Sequence, residues 1–195
     1  MKINIKQFND FTGKAGPIDL FKLLDIDTYC EIGVREGNTF QSRSPLVNNY
    51  SLAVDCWDLY ETPSQNDMGR ERNQAEQQYL NLLNKYKDND KVDIVRSFSN
   101  NEKLYSQIPK NYFDLIFIDG DHSYKGVKED LNNWFEKSNT IFCGHDYMTQ
   151  HTVWNGVTCG VKQAVDEFVE EQKDNIKEFR VYLDSPNPTW FIWKK

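Results

Sequence analysis

Phe113-Asp114-Leu115-Ile116-Phe117-Ile118 is the stretch that most narrows what this chain can fold into. A strand with one wet face alternates apolar and polar residues, whereas a nearly unbroken apolar run needs cover on both faces. Helices supply such cover, and the rest of the chain has them. Short apolar runs at 28–32, 50–55, 92–96, 112–118 and 140–143 alternate with longer stretches of helical period. That alternation is the signature of a parallel α/β sheet. Ala75, Tyr79, Leu82, Leu83 and Tyr86 form one helical stripe; Val127, Leu131, Trp134 and Phe135 form a second. Val157, Val161, Ala164, Val165, Phe168 and Val169 form a third, and all three read as packing faces. A short helix is expected over 17–24, with Pro17 suited to its first turn.

Two more extended runs, 178–183 and 189–193, flank Asp184-Ser185-Pro186-Asn187-Pro188, a turn composition. They predict an antiparallel hairpin closing the parallel sheet. The 195 residues show no internal repeat or linker, so one domain is expected over 1–195, with 1–27 as an N-terminal extension and helix. Residues 57–73 lack periodicity and read as a loop over a site.

Several function classes are disfavoured. The net charge is -7 and no Lys/Arg cluster stands out, which argues against a nucleic-acid partner. No stretch approaches the roughly 18 apolar residues of a membrane span. The opening Met1-Lys2-Ile3-Asn4-Ile5-Lys6 has no apolar run after its charges, unlike a secretory signal. Cys30, Cys56, Cys143 and Cys159 lack zinc-site spacing and read as unbridged thiols in a reducing compartment. A soluble, cytoplasmic protein is expected.

The first strand ends in Glu31 and is followed by Gly33, Gly37 and a helix, the layout of a nucleotide-type cofactor turn. Asp55 ends the second strand about 20 residues on, where a carboxylate takes both hydroxyls of a ribose. A dinucleotide fingerprint wants three glycines with a pyrophosphate on the helix N-terminus. Here those positions read Glu31, Gly33 and Glu36. Two carboxylates beside a diphosphate would repel it, so the expected ligand lacks phosphate and welcomes acids. S-adenosylmethionine (SAM), with its ribose, ammonium and sulfonium, fits; a nicotinamide cofactor does not.

The pattern Glu31-x-Gly33-x-x-x-Gly37 resembles motif I of the class I SAM-dependent methyltransferases, with Val54-Asp55 as their ribose-binding acid. Phe117-Ile118-Asp119-Gly120-Asp121-His122-Ser123-Tyr124 is similar to the I-D-G-D-H-S-Y segment of a small-molecule group among them. Gly144-His145-Asp146-Tyr147 is similar to that group's G-H-D-Y. The likeness runs from about Thr28 to Phe168. It implies a Rossmann-like, mostly parallel sheet of seven strands in the order 3-2-1-4-5-7-6, the last antiparallel, with helices on both faces. It also implies cofactor contacts at Glu31, Gly33, Gly37, Asp55, Ser97, Phe98, Asp119 and Asp121. There is one departure. Where the family often has an acid for the adenine amino group, this chain has Arg96-Ser97-Phe98-Ser99, and Phe98 accepts no hydrogen bond.

Asp119 and Asp146 end the fourth and fifth strands on the cofactor side. Neighbouring strands lie about 4.8 Å apart, so the two carboxylates can meet on one ion or one substrate hydroxyl. Two hard oxygen ligands suit Mg²⁺. Cation-dependent catechol- and caffeoyl-type O-methyltransferases resemble this chain in placing metal-binding acids there, but they carry Asn where this chain has Tyr147. His122 or a water would complete the set, or no metal binds. Methyl transfer to a hydroxyl also needs a proton acceptor, and His122 or His145 is the natural base. Alternatively, Asp121 serves as an N-cap and His145 as a strand-end histidine. Trp57, Tyr60, Tyr124, Tyr147 and Trp154 are available to line a pocket for a small acceptor, a sugar or a phenol. The remaining alternatives are a SAM-binding protein without turnover and a metal-dependent hydrolase built on the Asp/His cluster.

Overall fold

The computed structural model describes residues 21, 24–57, 72–148, 153–154, 157–182 and 187–195. The strands are β1 (Thr28–Ile32), β2 (Tyr50–Asp55), β3 (Val92–Arg96), β4 (Phe113–Ile118), β5 (Ser138–Gly144), β6 (Val153–Trp154), β7 (Val157–Thr158), β8 (Ile176–Tyr182) and β9 (Thr189–Lys194). The helices are α1 (Asn38–Arg43), α2 (Arg72–Tyr86), α3 (Glu102–Tyr105), α4 (Tyr124–Trp134) and α5 (Val161–Glu171), with short 3-10 turns at Ser44–Leu46 and Phe135–Lys137.

Seven strands form one sheet in the order β3-β2-β1-β4-β5-β9-β8. β1 to β5 pair in parallel, and β9 runs antiparallel between β5 and β8. Counted within the sheet, this is the expected 3-2-1-4-5-7-6 arrangement of the Rossmann-like methyltransferase fold. All six residues of β4 are buried, as its sequence demands. Successive strand residues point to opposite faces. Cys30, Ile32, Leu52, Val54, Ile116, Ile118 and Phe142 meet Val127, Leu131 and Trp134 of α4 and Ala164, Val165 and Phe168 of α5. Tyr29, Ala53, Leu115, Phe117 and Ile141 meet Phe40 of α1 and Ala75, Leu82 and Tyr86 of α2. Among the described residues, no helix is long and apolar enough to cross a membrane.

Two expectations need correction. Val157 lies at helical spacing from Val161, yet it pairs with Trp154 in a two-stranded ribbon, and α5 begins only at Val161. The Asn155-Gly156 pair between those strands is a hairpin signal that outranks the spacing. β5 also starts earlier than its apolar run, because Ser138 pairs with Phe113 and its hydroxyl donates to the Ile141 carbonyl. Most of 57–73 and of 17–24 lies outside the described residues. No disulfide joins the cysteines, and Cys30, Cys143 and Cys159 are buried.

Candidate active site

Register decides what shares the carboxyl edge of the sheet. Ile32 lies beside Val54 and Ile118, and Ile118 beside Gly144. Gly33, Asp55, Asp119 and His145 therefore leave the sheet at nearly one level. Each departing residue is pinned by a neighbouring strand. Gly33 N–H donates to Val54 O (2.9 Å), Asp119 N–H to Ile32 O (2.7 Å), His145 N–H to Ile118 O (3.0 Å) and Ser97 N–H to Asp55 O (2.9 Å). Loops outside the carboxyl ends of parallel strands are the usual place for a ligand in such sheets.

The β1–α1 turn is built on two left-handed glycines, Gly33 (φ 83°) and Gly37 (φ 79°). At Gly33 the close approach is to the protein itself: a Cβ there would stand 2.0 Å from the Asp119 carbonyl oxygen. The glycine thus lets β1 and β4 leave the sheet side by side. Asp55 fixes the turn from β2, its Oδ2 accepting from Arg35 N–H (2.7 Å) and its Oδ1 from Trp57 N–H (2.6 Å).

Glu31 is 1% exposed but lines the cavity. Tyr29 donates its hydroxyl to Glu31 Oε2, and Arg43 Nη1 donates to the Tyr29 oxygen (3.2 Å). The Arg43 guanidinium lies 3.9 Å from the Phe117 ring centre, where it gains a cation–π contact. Burial raises the Glu31 pKa to about 7, against the pull of Arg43 and Tyr29.

The second cluster sits at the ends of β4 and β5. His122 Nε2 lies 2.9 Å from Asp146 Oδ2 and 3.4 Å from Asp119 Oδ1. His145 Nδ1 lies 3.5 Å from Asp146 Oδ1 and 3.7 Å from Asp119 Oδ1. Asp119, His145 and Asp146 each offer a ligand atom, all within 4.8 Å of one another. Oδ1 of Asp146 is buried without a hydrogen-bond partner among the described residues. Asp146 also holds a left-handed backbone (φ 54°), a cost that a surrounding structure must maintain and that concentrates at functional sites. Burial opposes charge on Asp146, but the two imidazoles outweigh it and take its pKa down to about 2. Burial likewise opposes charge on His122, but Asp119 and Asp146 lift its pKa to about 10.

His122 is therefore an imidazolium at neutral pH in this arrangement. Its contribution to stability is complete below about pH 6.5 and is lost as pH climbs towards 10. An NMR titration should find the His122 imidazole protonated through neutrality. Asp146→Asn should lower its pKa towards the ordinary value, and an ordinary pKa in the wild-type protein would refute the ion-paired reading.

Between the two groups lies a cavity of about 490 Å³, within the range of roughly 300–1,000 Å³ usual for ligand pockets. Glu31, Gly33, Asp55, Ser97, Phe98, Asp119, Asp121, His122, His145 and Asp146 all line it. Gly37 stands behind it, a Cβ there meeting Leu82 of α2. Ser123, not Asp121, caps α4, its hydroxyl accepting from Gly126 N–H (3.1 Å); Asp121 instead accepts from the Ser123 amide and hydroxyl.

The aromatic residues divide differently from expectation. Trp57 is fully buried, packs on Tyr79 and donates Nε1–H to the Arg35 carbonyl (2.9 Å), so it belongs to the core rather than to a pocket. Tyr124 and Tyr147 donate to Glu167 and Asp166 of α5, away from the cavity lining. Tyr60 and the Trp154 side chain lie outside the described residues. The lining includes residues that strand-end reasoning passes over: Arg35, Glu129, Asp130 and Asn187. Asp130 had a signal, being an acid on the apolar stripe between Val127 and Trp134.

Comparison with known proteins followed the same outline. A family model described as a methyltransferase domain matches residues 30–147. A Staphylococcus aureus structure named as a caffeoyl-CoA O-methyltransferase aligns at TM-score 0.63 and 11% identity, over 98% of this chain and 93% of that one. An O-methyltransferase from Bacillus cereus, in complex with S-adenosylhomocysteine (SAH), aligns at 0.58 and 13%, over 97% and 89%. Spermidine synthase from Thermotoga maritima aligns at 0.56 and 15%, over 92% of this chain but only 58% of its own. These likenesses establish the fold. No curated protein matches the sequence.

Proposed function

The chain belongs to the methyltransferase-domain family, and from that premise we propose that it carries a methyl group from SAM to a hydroxyl of a small acceptor, a sugar or a phenol. The observation that carries this reading is the convergence of Asp119, His122, His145 and Asp146 on the same cavity as Glu31 and Asp55. One end suits the cofactor: Asp55 ends β2 and lines the cavity beside the β1–α1 turn, whose acids Glu31 and Glu36 stand there with Arg35. The other end offers groups that orient and deprotonate a hydroxyl.

Methyl transfer is an in-line displacement, so positioning the nucleophile and taking its proton are the protein's tasks. His122, held between two carboxylates, is an anchor whose charge fixes Asp119 and Asp146. His145 is the more exposed imidazole, its side chain 30% accessible against 11% for His122, and it serves as the proton acceptor. A second reading follows from the three ligand atoms that Asp119, His145 and Asp146 bring within 4.8 Å of one another. There Asp119, His145 and Asp146 hold a divalent cation such as Mg²⁺, which when bound lowers the pKa of a coordinated hydroxyl. Asp119 then takes part in holding the acceptor.

Calorimetric titration with SAM, with and without Mg²⁺, alongside a methyl-transfer assay on sugar and phenolic acceptors, tests both. Asp55→Ala should weaken SAM binding at least about tenfold, the loss of a charge-assisted hydrogen-bond acceptor. Asp146→Ala should leave SAM binding intact and abolish transfer and any response to Mg²⁺. Failure of the wild-type protein to bind SAM would remove the cofactor reading. SAM binding with no transfer to any hydroxyl would favour a binding protein without turnover.

A further inference from the structure

We infer that Arg35 selects an acidic acceptor, its guanidinium holding the carboxylate of a sugar acid or a phenolic acid that enters the cleft. The inference rests on the SAM reading of the cavity. Among the described lining residues Arg35 is the only lysine or arginine. Its Nε is buried without a hydrogen-bond partner, and no described carboxylate pairs with its guanidinium. The acids nearby are committed elsewhere. Both oxygens of Glu36 accept from side-chain amides, Oε1 from Gln78 (3.3 Å) and Oε2 from Asn38 (3.2 Å). Asp55 accepts from the backbone of Arg35 and Trp57. Asp119 and Asp146 face His122 and His145. A buried guanidinium nitrogen without a partner costs free energy until an anion meets it, and the cavity is the side from which one arrives.

The backbone fixes where that side chain starts. Arg35 holds φ 54°, with its N–H on Asp55 Oδ2 (2.7 Å) and its carbonyl accepting Trp57 Nε1–H (2.9 Å). Glycine would hold that conformation without steric cost, so the side chain is what an arginine adds there. Two sources could bring the anion: the amino-acid end of the cofactor and an acidic group on the acceptor. The pattern Glu31-x-Gly33-x-x-x-Gly37 leaves position 35 open. It asks for no cation there on behalf of the cofactor, and an open position suits the partner that differs between such enzymes. A planar guanidinium fork matches the two oxygens of a carboxylate. With that carboxylate on Arg35 and the reacting hydroxyl beside Asp119 and His145, the acceptor is held at two points of one cavity.

The Nε–H of Arg35 reports its own partner. In a heteronuclear NMR spectrum its resonance is identified by its absence from Arg35→Met. Protein saturated with SAH is then titrated with protocatechuate and its methyl ester, and with glucuronate and glucuronamide. At least one acid should move the resonance and bind at least about tenfold tighter than its neutral counterpart. Arg35→Met should bring that ratio close to one. Arg35→Lys, which keeps the charge but not the fork, should fall between. A merely structural Arg35 would change both affinities together and leave their ratio unmoved. Either of two results overturns the inference. One is a resonance that neither acid moves. The other is a resonance that shifts with SAH, stays still with decarboxylated SAH and then ignores both acids, which gives the guanidinium to the cofactor. A thermal melt shows whether Arg35→Met is folded; should it not fold, Arg35→Lys identifies the signal and the wild-type titration decides. If SAH itself does not bind, the SAM reading falls, and the same acids titrated into the empty cleft still test Arg35.

Discussion

Gly33→Ala is expected to destabilise the protein by about 3 kcal/mol or more and to disable both ends of the cleft at once. Two penalties combine. An L side chain at φ 83° costs about 1–2 kcal/mol, and overpacking against a rigid neighbour typically adds about 1–3 kcal/mol. The neighbour is rigid because the Cβ would meet the Asp119 carbonyl at 2.0 Å, and Asp119 N–H is itself bonded to Ile32 O. Relief requires moving either the β1–α1 turn or the end of β4. Gly37→Ala is the internal comparison. It has the same backbone sign, but its Cβ meets the Leu82 side chain, which can turn aside, so the cost should stay near about 1–2 kcal/mol. Denaturant unfolding measures both. A Gly33→Ala variant within about 0.5 kcal/mol of wild type would show that the β1–β4 approach is looser than described.

The second large effect is at Arg43. Replacing it with Met keeps most of the apolar contact with Phe117 and removes the only described cation acting on Glu31. Arg43 reaches Glu31 through the Tyr29 hydroxyl, so its loss strands the Glu31 charge at a cost below the roughly 3–5 kcal/mol of breaking a direct buried ion pair. The effect should depend on pH in a definite direction. Glu31 has a folded pKa of about 7, above its ordinary 4.5, so it contributes nothing below 4.5 and subtracts stability as pH rises through 7. Without Arg43 that subtraction grows and extends to higher pH. The Arg43→Met penalty should therefore be large at about pH 8 and shrink towards about pH 4.5. Adding Glu31→Gln should recover much of it, because the stranded charge is gone. Equal penalties at both ends of that range would mean that Arg43 acts through packing alone.

Much of this architecture could be read along the chain, for a physical reason. Strands buried on both faces announce themselves as apolar runs, and 28–32, 50–55 and 92–96 coincide with β1, β2 and β3. Acids at strand ends were equally legible, since the carboxyl edge of a parallel sheet gathers the residues that follow each strand. Asp55, Asp119, Asp146, His122 and His145 all reach the cavity on that logic. Arg43 did not announce itself, because a helix residue meets its strand partners only once its helix is docked; Asp130 did so only as an acid on an apolar stripe. Trp57 misled for a related reason. It follows Asp55 at the end of β2 and looks available, but a left-handed backbone (φ 44°) turns it into the core. Val157 shows that helical spacing over two residues cannot outweigh an Asn-Gly turn signal.

The reversed strand β9 has an effect on how such a protein can change its chemistry. Because β9 runs against β5, its entrance arrives where β5 exits, bringing Asn187 to the cavity while the Pro188 carbonyl accepts Tyr147 N–H (3.0 Å). The β1–α1 turn and Asp55 come from one unbroken stretch, 31–55, while the rest of the cavity wall is assembled from 97–100, 119–122, 126, 129–130, 145–146 and 187. The wall is thus inherited as several tracts of the chain. Exchange at the far edge, where β9 brings Asn187, reshapes that wall while the first tract is left untouched.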